Sequence, residues 1–327
     1  MPRKGILVTG GAGYIGAHVA LMLAEAGERV VVLDDLSTGF AAAVRQAELI
    51  TGDVADPHLV RGLLQAHDVD TVMHFAARTV VPESVSDPLG YYRNNTCGTR
   101  SLLHCCAETG VKHLVFSSTA AVYGIPEEGL AREDSPTAPI NPYGRSKLMS
   151  EWMLRDLSAA TPLRHVALRY FNVAGSDPGG RIGQSTRQAT LLVKVACEAA
   201  VGRRDHVAVF GCDYPTPDGT GVRDYIHVTD LAAAHLDALN YLRRGGPSDT
   251  FNVGYGHGTS VRQVLDTVQR LSGRRLDIRE RPRRPGDPPS LVAAADRIRH
   301  VLGWTPHHDD LETIVGTALA WERDPAY

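Results

Sequence analysis

Long apolar runs, a strong charge of one sign and low-complexity segments are all missing from this 327-residue sequence. No stretch approaches the roughly 20 apolar residues that a membrane-spanning helix needs, so we expect no membrane partner. The formal net charge of −3 argues against nucleic acid as the main partner. With 43% hydrophobic and 22% charged residues, the composition is that of an ordinary globular protein rather than a disordered or fibrous one.

Paired cysteines are also missing. The five cysteines are odd in number and lack the C-x-x-C or Cys/His spacing of a metal site. This pattern predicts neither a disulfide framework nor a zinc site, and it fits a reducing compartment. We therefore expect a cytoplasmic protein without a metal ion. The cysteines are Cys97, Cys105, Cys106, Cys197 and Cys212.

Short β-branched runs alternate with alanine- and leucine-rich helical segments through the first half of the chain. Strands without strict polar alternation, separated by helices, indicate a parallel sheet covered on both faces. The expected fold class is α/β, a Rossmann-type doubly wound parallel sheet with a smaller C-terminal substrate-binding lobe. We assign residues 1–172 to the Rossmann domain, with 222–246 returning to it. Residues 173–221 and 247–327 form the smaller lobe in this assignment.

The segment "GILVTGGAGYIGAHVALMLAEAG" places Gly10, Gly13 and Gly16 between a predicted strand and a predicted helix. In that context G-x-x-G-x-x-G predicts a dinucleotide-binding turn, because glycine permits the tight turn and the close approach of a pyrophosphate. The next strand, "VVVLDDL", ends in Asp34, whose carboxylate can accept the adenosine ribose hydroxyls and repels a 2′-phosphate. NAD is therefore the predicted cofactor. Asp53 follows the third strand, where it meets the adenine amino group or forms a plain turn.

The segment "YGRSK" at 143–147 follows a helix-start signal. Asn141 is a good N-cap and Pro142 suits the first helical position, so Tyr143 and Lys147 share one helix face. The positive end of the helix dipole and the neighbouring ammonium both favour phenolate. We therefore expect the pKa of Tyr143 to be lowered, which suits a proton shuttle. Alone, the motif is weak, because chance produces it often.

Further motifs point to a known family. With "HFAA" at 74–77, "NN" at 94–95, "FSSTAAVYG" at 116–124 and "RYFN" at 169–172, the sequence resembles the extended short-chain dehydrogenase/reductase family. Adding "GRRD", "DYPTPDGTGVRDYIHVTDLA" and "RRPGD", it is most similar to the UDP-glucose 4-epimerases, over essentially the whole chain. The resemblance implies an NAD-dependent isomerase that inverts C4 of a UDP-hexose through a 4-keto intermediate.

The resemblance also implies roles for individual residues. Tyr143 is the catalytic acid/base, Lys147 bonds the nicotinamide ribose, and Thr119 supplies the hydroxyl that is serine in the best-known members. The cofactor contacts implied are Gly10, Gly13, Tyr14, Ile15, Gly16, Asp34, Ser37, Asp53, Val54, Phe75, Ala76, Ala77, Asn95, Ser117, Tyr143, Lys147 and Tyr170. The substrate contacts implied are Thr119, Tyr143, Asn172, Phe210, Arg223, Arg284, Asp287 and Leu291.

The sequence departs from the family pattern at three places. Thr79 stands where many members carry a lysine near the cofactor, and adjacent Arg78 is the available replacement. The segment "ATLLVK" at 189–194 stands where the family usually has a polar Asn or His that contacts the nucleotide and a nearby proline, and its Leu191 and Lys194 depart from those expected sugar-nucleotide contacts. Leu291 aligns with the position that gates the space around the sugar C2 substituent, where leucine is intermediate in size.

Other functions stay open on the sequence. The 4,6-dehydratases and UDP-xylose synthases need additional acids after the hydroxyl, and this chain has Ala120 and Ala121 there. Closer alternatives are 4-epimerases of UDP-N-acetylhexosamine, UDP-xylose/arabinose or UDP-glucuronate. A catalytically idle NAD-binding regulator is the alternative from a different class. His74 can be read as a base, but a strand end favours a hydrogen-bonded core residue.

The resemblance finally implies a homodimer. Segments 91–109 and 144–157 correspond to helices that form a four-helix interface between family subunits. Packing within one subunit is the alternative for the same apolar side chains. The expected apolar contacts are Cys97, Leu102, Leu103, Met149 and Trp152.

Overall fold

The computed structural model describes residues 4–187, 189–284 and 287–327. Its strands are β1 (Gly5–Thr9), β2 (Arg29–Asp34), β3 (Glu48–Thr51), β4 (Val69–His74), β5 (His113–Thr119), β6 (Leu130–Ala131), β7 (Arg164–Tyr170), β8 (Asn172–Ala174), β9 (Val207–Phe210), β10 (Val222–Arg223), β11 (Tyr225–His227), β12 (Asp249–Val253), β13 (Thr259–Ser260), β14 (Ile278–Arg281) and β15 (Ser290–Ala293).

The helices follow in the same order along the chain. They are α1 (Tyr14–Glu25), α2 (Pro57–Ala66), α3 (Val81–Ser86), α4 (Pro88–Tyr91), α5 (Gly98–Thr109), α6 (Pro142–Ala160), α7 (Leu192–Ala200), α8 (Val228–Arg243), α9 (Val261–Ser272), α10 (Asp296–Leu302) and α11 (Leu311–Arg323). A π-helical turn, Tyr92–Cys97, joins α4 to α5. No helix among the described residues is long and apolar enough to cross a membrane.

A seven-stranded parallel sheet of order β12-β7-β5-β4-β1-β2-β3 forms the centre of the fold. All five residues of its inner strand β1 are buried, as a strand covered on both faces requires. The order reverses beside β1, where β2 and β4 lie on opposite sides of it. The predicted α/β class is confirmed, and the reversal marks the crevice at the carboxyl ends of the strands where such sheets bind ligands.

The second stretch of the smaller lobe, predicted to begin at residue 247, begins later in the chain. Strand β12 pairs in parallel with β7 from Asp249 to Val253 and forms one edge of the central sheet. Phe251 and Val253 are fully buried there. The five-residue run has no clear polarity pattern, so the sequence alone does not predict a buried strand at this place. Residues 247–253 therefore depart from the predicted division, and the remainder of that division stays a prediction.

Three small sheets carry four of the residues expected to bind substrate, Asn172, Phe210, Arg223 and Leu291. Strands β13, β10, β15 and β6 form one, β14 and β9 a second, and β11 and β8 a third. Arg223 on β10 lies directly beside Leu291 on β15 in the parallel register. These short pairings bring together residues from 172 to 293 that are distant in the chain.

Two of the expected intersubunit contacts belong to the core. Leu102 is 0% exposed and Leu103 is 4% exposed, and both pack between the sheet and α2 in a cluster with Leu63 and Leu114. The prediction that they contact a partner subunit is wrong, because their face of α5 points toward the sheet. By contrast, Trp152 on α6 is 46% exposed.

Candidate active site

The glycine turn follows β1 and leads directly into α1. Gly10 has a φ of 71°, and a Cβ there would lie 2.5 Å from the Ala76 nitrogen. A Cβ on Gly16 would lie 2.3 Å from the Gly10 carbonyl oxygen, so these two glycines are required by backbone packing. A Cβ on Gly13 meets only that same carbonyl oxygen, at 3.3 Å. Gly13 therefore faces open space, as a pyrophosphate-binding position must.

The amino end of α1 presents free backbone donors to that space. Gly13 is the N-cap, in extended conformation, and no side chain caps the helix. The first-turn N–H groups of Tyr14, Ile15 and Gly16 therefore lack an acceptor within the helix. The Tyr14 hydroxyl donates to the Gly175 carbonyl at 2.5 Å, which ties α1 to the loop after β8. This end of α1 fits an anionic phosphate group.

Asp34 lies at the carboxyl end of β2 and is bonded to the glycine turn. Its Oδ2 accepts from the Ala12 nitrogen at 2.9 Å and its Oδ1 from the Leu36 nitrogen at 2.8 Å. Burial raises the pKa of Asp34, while these two bonds oppose the shift. Nearby Ser37 bonds Asp35 rather than Asp34. The carboxylate is thus held in a fixed position beside the phosphate-binding turn.

Asp53 and Val54 follow β3 at the same edge of the sheet. Asp53 is exposed, and its Oδ1 accepts from the Ala55 nitrogen at 2.8 Å in a turn. Val54 is partly buried and packs under the apolar cluster that contains Leu102. Both readings of Asp53 remain compatible with this placement, because one carboxylate oxygen is engaged in the turn and the other is not.

The segment after β4 crosses the crevice and is pinned by Asn95. The nitrogens of Phe75 and Ala76 both donate to the Thr9 carbonyl, at 2.9 and 3.1 Å. Asn95 is buried, accepts from the Arg78 nitrogen at 2.9 Å and donates to the Arg78 carbonyl at 3.0 Å. Partly buried Ala77 lies between these anchors. The segment is therefore fixed at both ends beside the glycine turn.

Arg78 does not replace the lysine missing at 79. Its guanidinium pairs with Asp87 at 3.1 Å on the surface, where both side chains are about half exposed. Thr79 is itself exposed. This part of the crevice therefore carries one cation fewer than the family pattern, as the sequence suggests.

Helix α6 begins where the sequence predicts. The Asn141 Oδ1 accepts from the Gly144 nitrogen at 2.8 Å, and Pro142 occupies the first turn. Tyr143 and Lys147 follow on one face, and the Thr119 hydroxyl at the end of β5 is near enough to the Tyr143 phenol to oppose a rise in its pKa. The predicted triad is thus assembled at the carboxyl edge of the sheet.

The predicted lowering of the Tyr143 pKa is wrong for this structure. Burial raises its pKa, and the Thr119 hydroxyl opposes that shift only in part. Lys147 is 2% exposed, and its Nζ donates to the Ser117 carbonyl at 2.9 Å. Burial also lowers the pKa of Lys147 to about 7. Desolvation thus works against the charged forms of both residues.

Tyr170 and His74 complete the buried floor of the site. The Tyr170 hydroxyl donates to the Ser117 hydroxyl, and burial raises the pKa of Tyr170. The two ring nitrogens of His74 bond the Thr9 and Thr99 hydroxyls at 2.6 and 2.9 Å. Burial, together with Lys147, lowers the pKa of His74 to about 3. The reading of His74 as a hydrogen-bonded core residue is confirmed.

The residues expected to bind substrate include two arginines that contact an acid and an aromatic ring. Arg223 donates to Asp287 at 3.0 Å. The Arg284 guanidinium lies 3.7 Å from the ring centroid of Phe210. Leu291, beside Arg223, is 9% exposed. Of the motif "RRPGD", residues 285 and 286 lie outside the described residues.

Asp224 is a residue that the sequence reasoning missed. It is fully buried and accepts from the backbone nitrogens of Tyr255, Gly256 and Ala293 at 2.9, 2.9 and 3.2 Å. Its carbonyl accepts from the Asn172 nitrogen at 3.0 Å. This carboxylate connects the strands around Arg223 through hydrogen bonds. In the sequence, an aspartate directly after Arg223 in the apolar run "VRDYIHV" could have indicated such a buried role.

The substituted segment before α7 is arranged differently from the family expectation. Lys194 is buried and pairs with Glu322, and with Glu198 at 3.3 Å, so its ammonium is used inside the protein. Leu191 is 40% exposed. Among the described residues no group of three or more His, Cys, Asp and Glu side chains is placed to hold a metal ion.

A doubly wound sheet, a glycine turn opening a helix and a Tyr–Lys–Thr group at one crevice define a dinucleotide-dependent enzyme of the short-chain dehydrogenase/reductase type. The profile of the NAD dependent epimerase/dehydratase family matches residues 6–254. The chain belongs to that family, and this confirms the predicted cofactor, NAD.

Individual relatives cover nearly the whole chain. It is 58% identical over 319 residues to the UDP-glucose 4-epimerase of Azospirillum brasilense, covering 97% of this chain and 92% of the relative. The UDP-glucose 4-epimerase of Brucella ovis, solved in complex with NAD, superposes with a TM-score of 0.94 at 45% identity over 97% and 98% of the two chains. The UDP-Glc/GlcNAc 4-epimerase of Campylobacter jejuni superposes with a TM-score of 0.86 at 47% identity over 98% and 99%.

Proposed function

We propose that this protein inverts C4 of UDP-glucose and UDP-galactose with NAD as its cofactor. The observation that carries the proposal is the meeting of Tyr143, the nearby Thr119 hydroxyl and buried Lys147, whose Nζ donates to the Ser117 carbonyl at 2.9 Å, at the carboxyl edge of the sheet. Relatives named UDP-glucose 4-epimerase, up to 58% identical, support the same reaction.

The glycine turn, Asp34 and Asn95 fit the two ends of NAD. Gly13 leaves room for the pyrophosphate at the amino end of α1, and Asp34 faces the ribose position with a negative charge that disfavours a 2′-phosphate. Asn95 holds the segment after β4 in place. Held by these residues, NAD would supply reversible hydride exchange at the sugar C4.

Tyr143 moves the proton of this reaction. Its phenolic oxygen takes the proton of the C4 hydroxyl as that carbon becomes a ketone, and it returns the proton when the hydroxyl is restored. The cycle therefore balances, with no net gain of protons or electrons. Thr119 donates a hydrogen bond to the phenolic oxygen or to the C4 oxygen, and the Lys147 ammonium favours the deprotonated tyrosine.

The smaller lobe holds the UDP group. Arg223 and Arg284 supply the charge-assisted, bidentate donors that a diphosphate needs, and Phe210 offers a ring face for uracil. Asn172 and Asp287 are proposed to contact the diphosphate and the uridine ribose. Anchoring through UDP leaves the hexose free to turn, which inversion requires, because both faces of C4 must meet the same hydride position.

Acceptance of N-acetylated hexoses is a second candidate. Leu291 is smaller than tyrosine at the gating position, and the Campylobacter jejuni neighbour is named for both UDP-Glc and GlcNAc. For UDP-xylose/arabinose the support is a neighbour at 39% identity, the UDP-glucose-4-epimerase from Stenotrophomonas maltophila, whose structure holds NAD and formylated UDP-arabinopyranose. Epimerisation of UDP-glucuronate rests on no separate observation. The 4,6-dehydratase reaction is disfavoured by Ala120 and Ala121, which carry no acid, and the assembled triad argues against an idle NAD-binding protein.

A homodimer in the cytoplasm completes the proposal. Cys97 and Trp152 are exposed on the helices expected to meet, and Leu89, 78% exposed on neighbouring α4, adds apolar surface. All five cysteines are free thiols, which suits a reducing compartment.

The deciding experiment follows UDP-galactose conversion to UDP-glucose by purified protein, with and without added NAD. Conversion approaching a fixed equilibrium ratio from both sugars is the expected result. No conversion of either sugar overturns the assignment, and parallel incubations with UDP-N-acetylgalactosamine, UDP-arabinose and UDP-glucuronate then distinguish another epimerase from an idle NAD-binding protein.

A further inference from the structure

A buried carboxylate with no assigned role lies one turn beyond Lys147 on α6. Glu151 is 7% exposed, and the Ser118 hydroxyl donates to its Oε1. Arg169 donates to both of its oxygens, from Nε to Oε1 at 3.0 Å and from Nη2 to Oε2 at 2.6 Å. The carboxylate is therefore fully engaged by partners on two different strands.

These two partners are direct neighbours of active-site residues. Ser118 precedes Thr119 on β5, and Arg169 precedes Tyr170 on β7. Ser118 and Arg169 are also paired with each other in the parallel register. Glu151 thus joins α6 to adjacent positions of both strands, directly behind the residues that face the crevice, because successive side chains on a strand point to opposite faces.

Stability alone is a weak reason for this arrangement. The Arg169 guanidinium also donates to the Tyr123 hydroxyl at 2.9 Å and stacks 4.9 Å from its ring centroid. The Tyr123 hydroxyl in turn donates to the Asn252 Oδ1 at 2.7 Å. Taking such a pair out of water costs about as much as the attraction returns, and apolar residues of similar volume often stabilise a fold equally well.

We propose that Glu151 is a positioning residue for the active site, supplying the negative charge that keeps Lys147 an ammonium and tying α6 to β5 and β7. This inference rests on the proposed function of the Tyr143–Lys147 pair. The only direct acceptor that the described residues offer the Lys147 Nζ is the Ser117 carbonyl, and the Phe116 ring lies 4.9 Å from it. Burial lowers the pKa of Lys147 to about 7, and Glu151 is the charge that opposes this shift.

Other groups around the pair do not titrate near pH 7. Burial lowers the pKa of His74 on β4 to about 3 and that of His165 on β7 to about 4. Burial raises the pKa of Tyr123 to about 12 and also raises the pKa values of Tyr143 and Tyr170. Of these groups, Lys147 is the one whose pKa lies near 7. The remaining charged group nearby is Glu133, whose carboxylate accepts from the Asn252 nitrogen and whose carbonyl accepts from Arg169.

The test is a titration of the lysine side chains by NMR. The chain has only four lysines, Lys4, Lys112, Lys147 and Lys194, so [ε-13C]lysine gives four signals, and Lys147→Arg assigns the relevant one. Glu151→Gln is expected to lower the pKa of Lys147 by about 1 unit. The matched control is Glu322→Gln, which removes another buried carboxylate, the one paired with Lys194, and is expected to leave the Lys147 titration unchanged.

An unchanged pKa of Lys147 in folded Glu151→Gln overturns the proposal, and Glu151 then has only a structural role. If the unpaired Arg169 prevents folding, the double variant Glu151→Gln/Arg169→Met leaves no lone buried charge, and its Lys147 pKa is required to lie below that of the single variant Arg169→Met, because the two proteins differ only in the Glu151 charge. In the epimerase assay, Glu151→Gln is expected to bring the alkaline loss of kcat to lower pH by the same amount. If the wild-type protein is inactive in the epimerase assay, the proposed reaction is wrong. The NMR titration does not depend on activity, so it still tests the role of Glu151.

Discussion

Replacing glycine by alanine at two positions of the same turn, Gly13 and Gly16, is expected to change two different properties of the protein. A Cβ on Gly16 would lie 2.3 Å from the Gly10 carbonyl oxygen and 2.9 Å from the Gly11 Cα, and backbone atoms cannot move aside cheaply. A Cβ on Gly13 meets one atom, at 3.3 Å, and the Gly13 backbone, with φ −79° and ψ 171°, suits alanine. Gly16→Ala therefore affects folding, and Gly13→Ala affects the cofactor.

The magnitudes follow from these contacts. Overpacking costs about 1–3 kcal/mol, and a contact at 2.3 Å with a backbone oxygen places Gly16→Ala in the upper part of that range, at about 2–3 kcal/mol; the helix propensity of alanine returns about 1 kcal/mol, so the variant loses about 1–2 kcal/mol of stability. At roughly 2–4 °C per kcal/mol, Tm falls by about 2–8 °C. For Gly13→Ala, the gain from a less flexible unfolded chain, about 0.4–1 kcal/mol, offsets a weaker N-cap. Its NAD affinity falls about 10- to 100-fold, because blocking one charge-assisted hydrogen bond costs about 1.5–3 kcal/mol.

The assay compares thermal unfolding with NAD content and NAD titration by calorimetry for both variants. Gly13→Ala with wild-type NAD affinity refutes the placement of the pyrophosphate beside Gly13. Gly16→Ala with an unchanged Tm refutes the packing argument. If both variants lose stability equally, the distinction between a packing glycine and a ligand-facing glycine is wrong.

Three further substitutions test separate parts of the site. Tyr143→Phe is expected to reduce kcat at least 100-fold with UDP affinity retained, because only the proton carrier is lost, and kcat near wild type points to another acid/base. Thr79→Lys restores a cation beside the segment after β4 and is expected to raise the NAD content of the purified protein; equal content in both proteins counts against this. Leu291→Tyr is expected to lower activity on UDP-N-acetylglucosamine more than on UDP-glucose, and an unchanged ratio of the two kcat/KM values shows that position 291 is not the gate.

The cofactor half of the site is readable from the sequence because its determinants are local. The glycine spacing between a buried strand and a helix, and Asp34 at the next strand end, lie within one βαβ unit, and the structure places them together. The Asn141 cap is equally local, since it bonds a nitrogen three residues away. Patterns of this kind describe the geometry completely when few residues separate the partners.

Features that depend on distant contacts were beyond the sequence. The face of α5 that carries Leu102 and Leu103 is decided by α2 and the sheet, so an apolar stripe alone could not separate core from interface. Strand β12 is a strand because β7 offers it an edge, 83 residues earlier in the Asp249–Val166 pairing. The backbone network around Asp224 likewise joins segments up to 69 residues apart.

The ionisation of the Tyr143–Lys147 pair combines both kinds of information. The helix dipole and the i, i+4 spacing are local and favour phenolate, but burial comes from β5 and β7 and disfavours phenolate and ammonium alike. Because desolvation opposes both charges, proximity of the two residues is insufficient, and each charge needs a partner of its own. Thr119 serves the phenolic oxygen, and Glu151, neutralised on its far side by Arg169, serves the ammonium. The Y-x-x-x-K motif therefore identifies the reacting groups, whereas their protonation states depend on burial and on partners from the strands behind the helix.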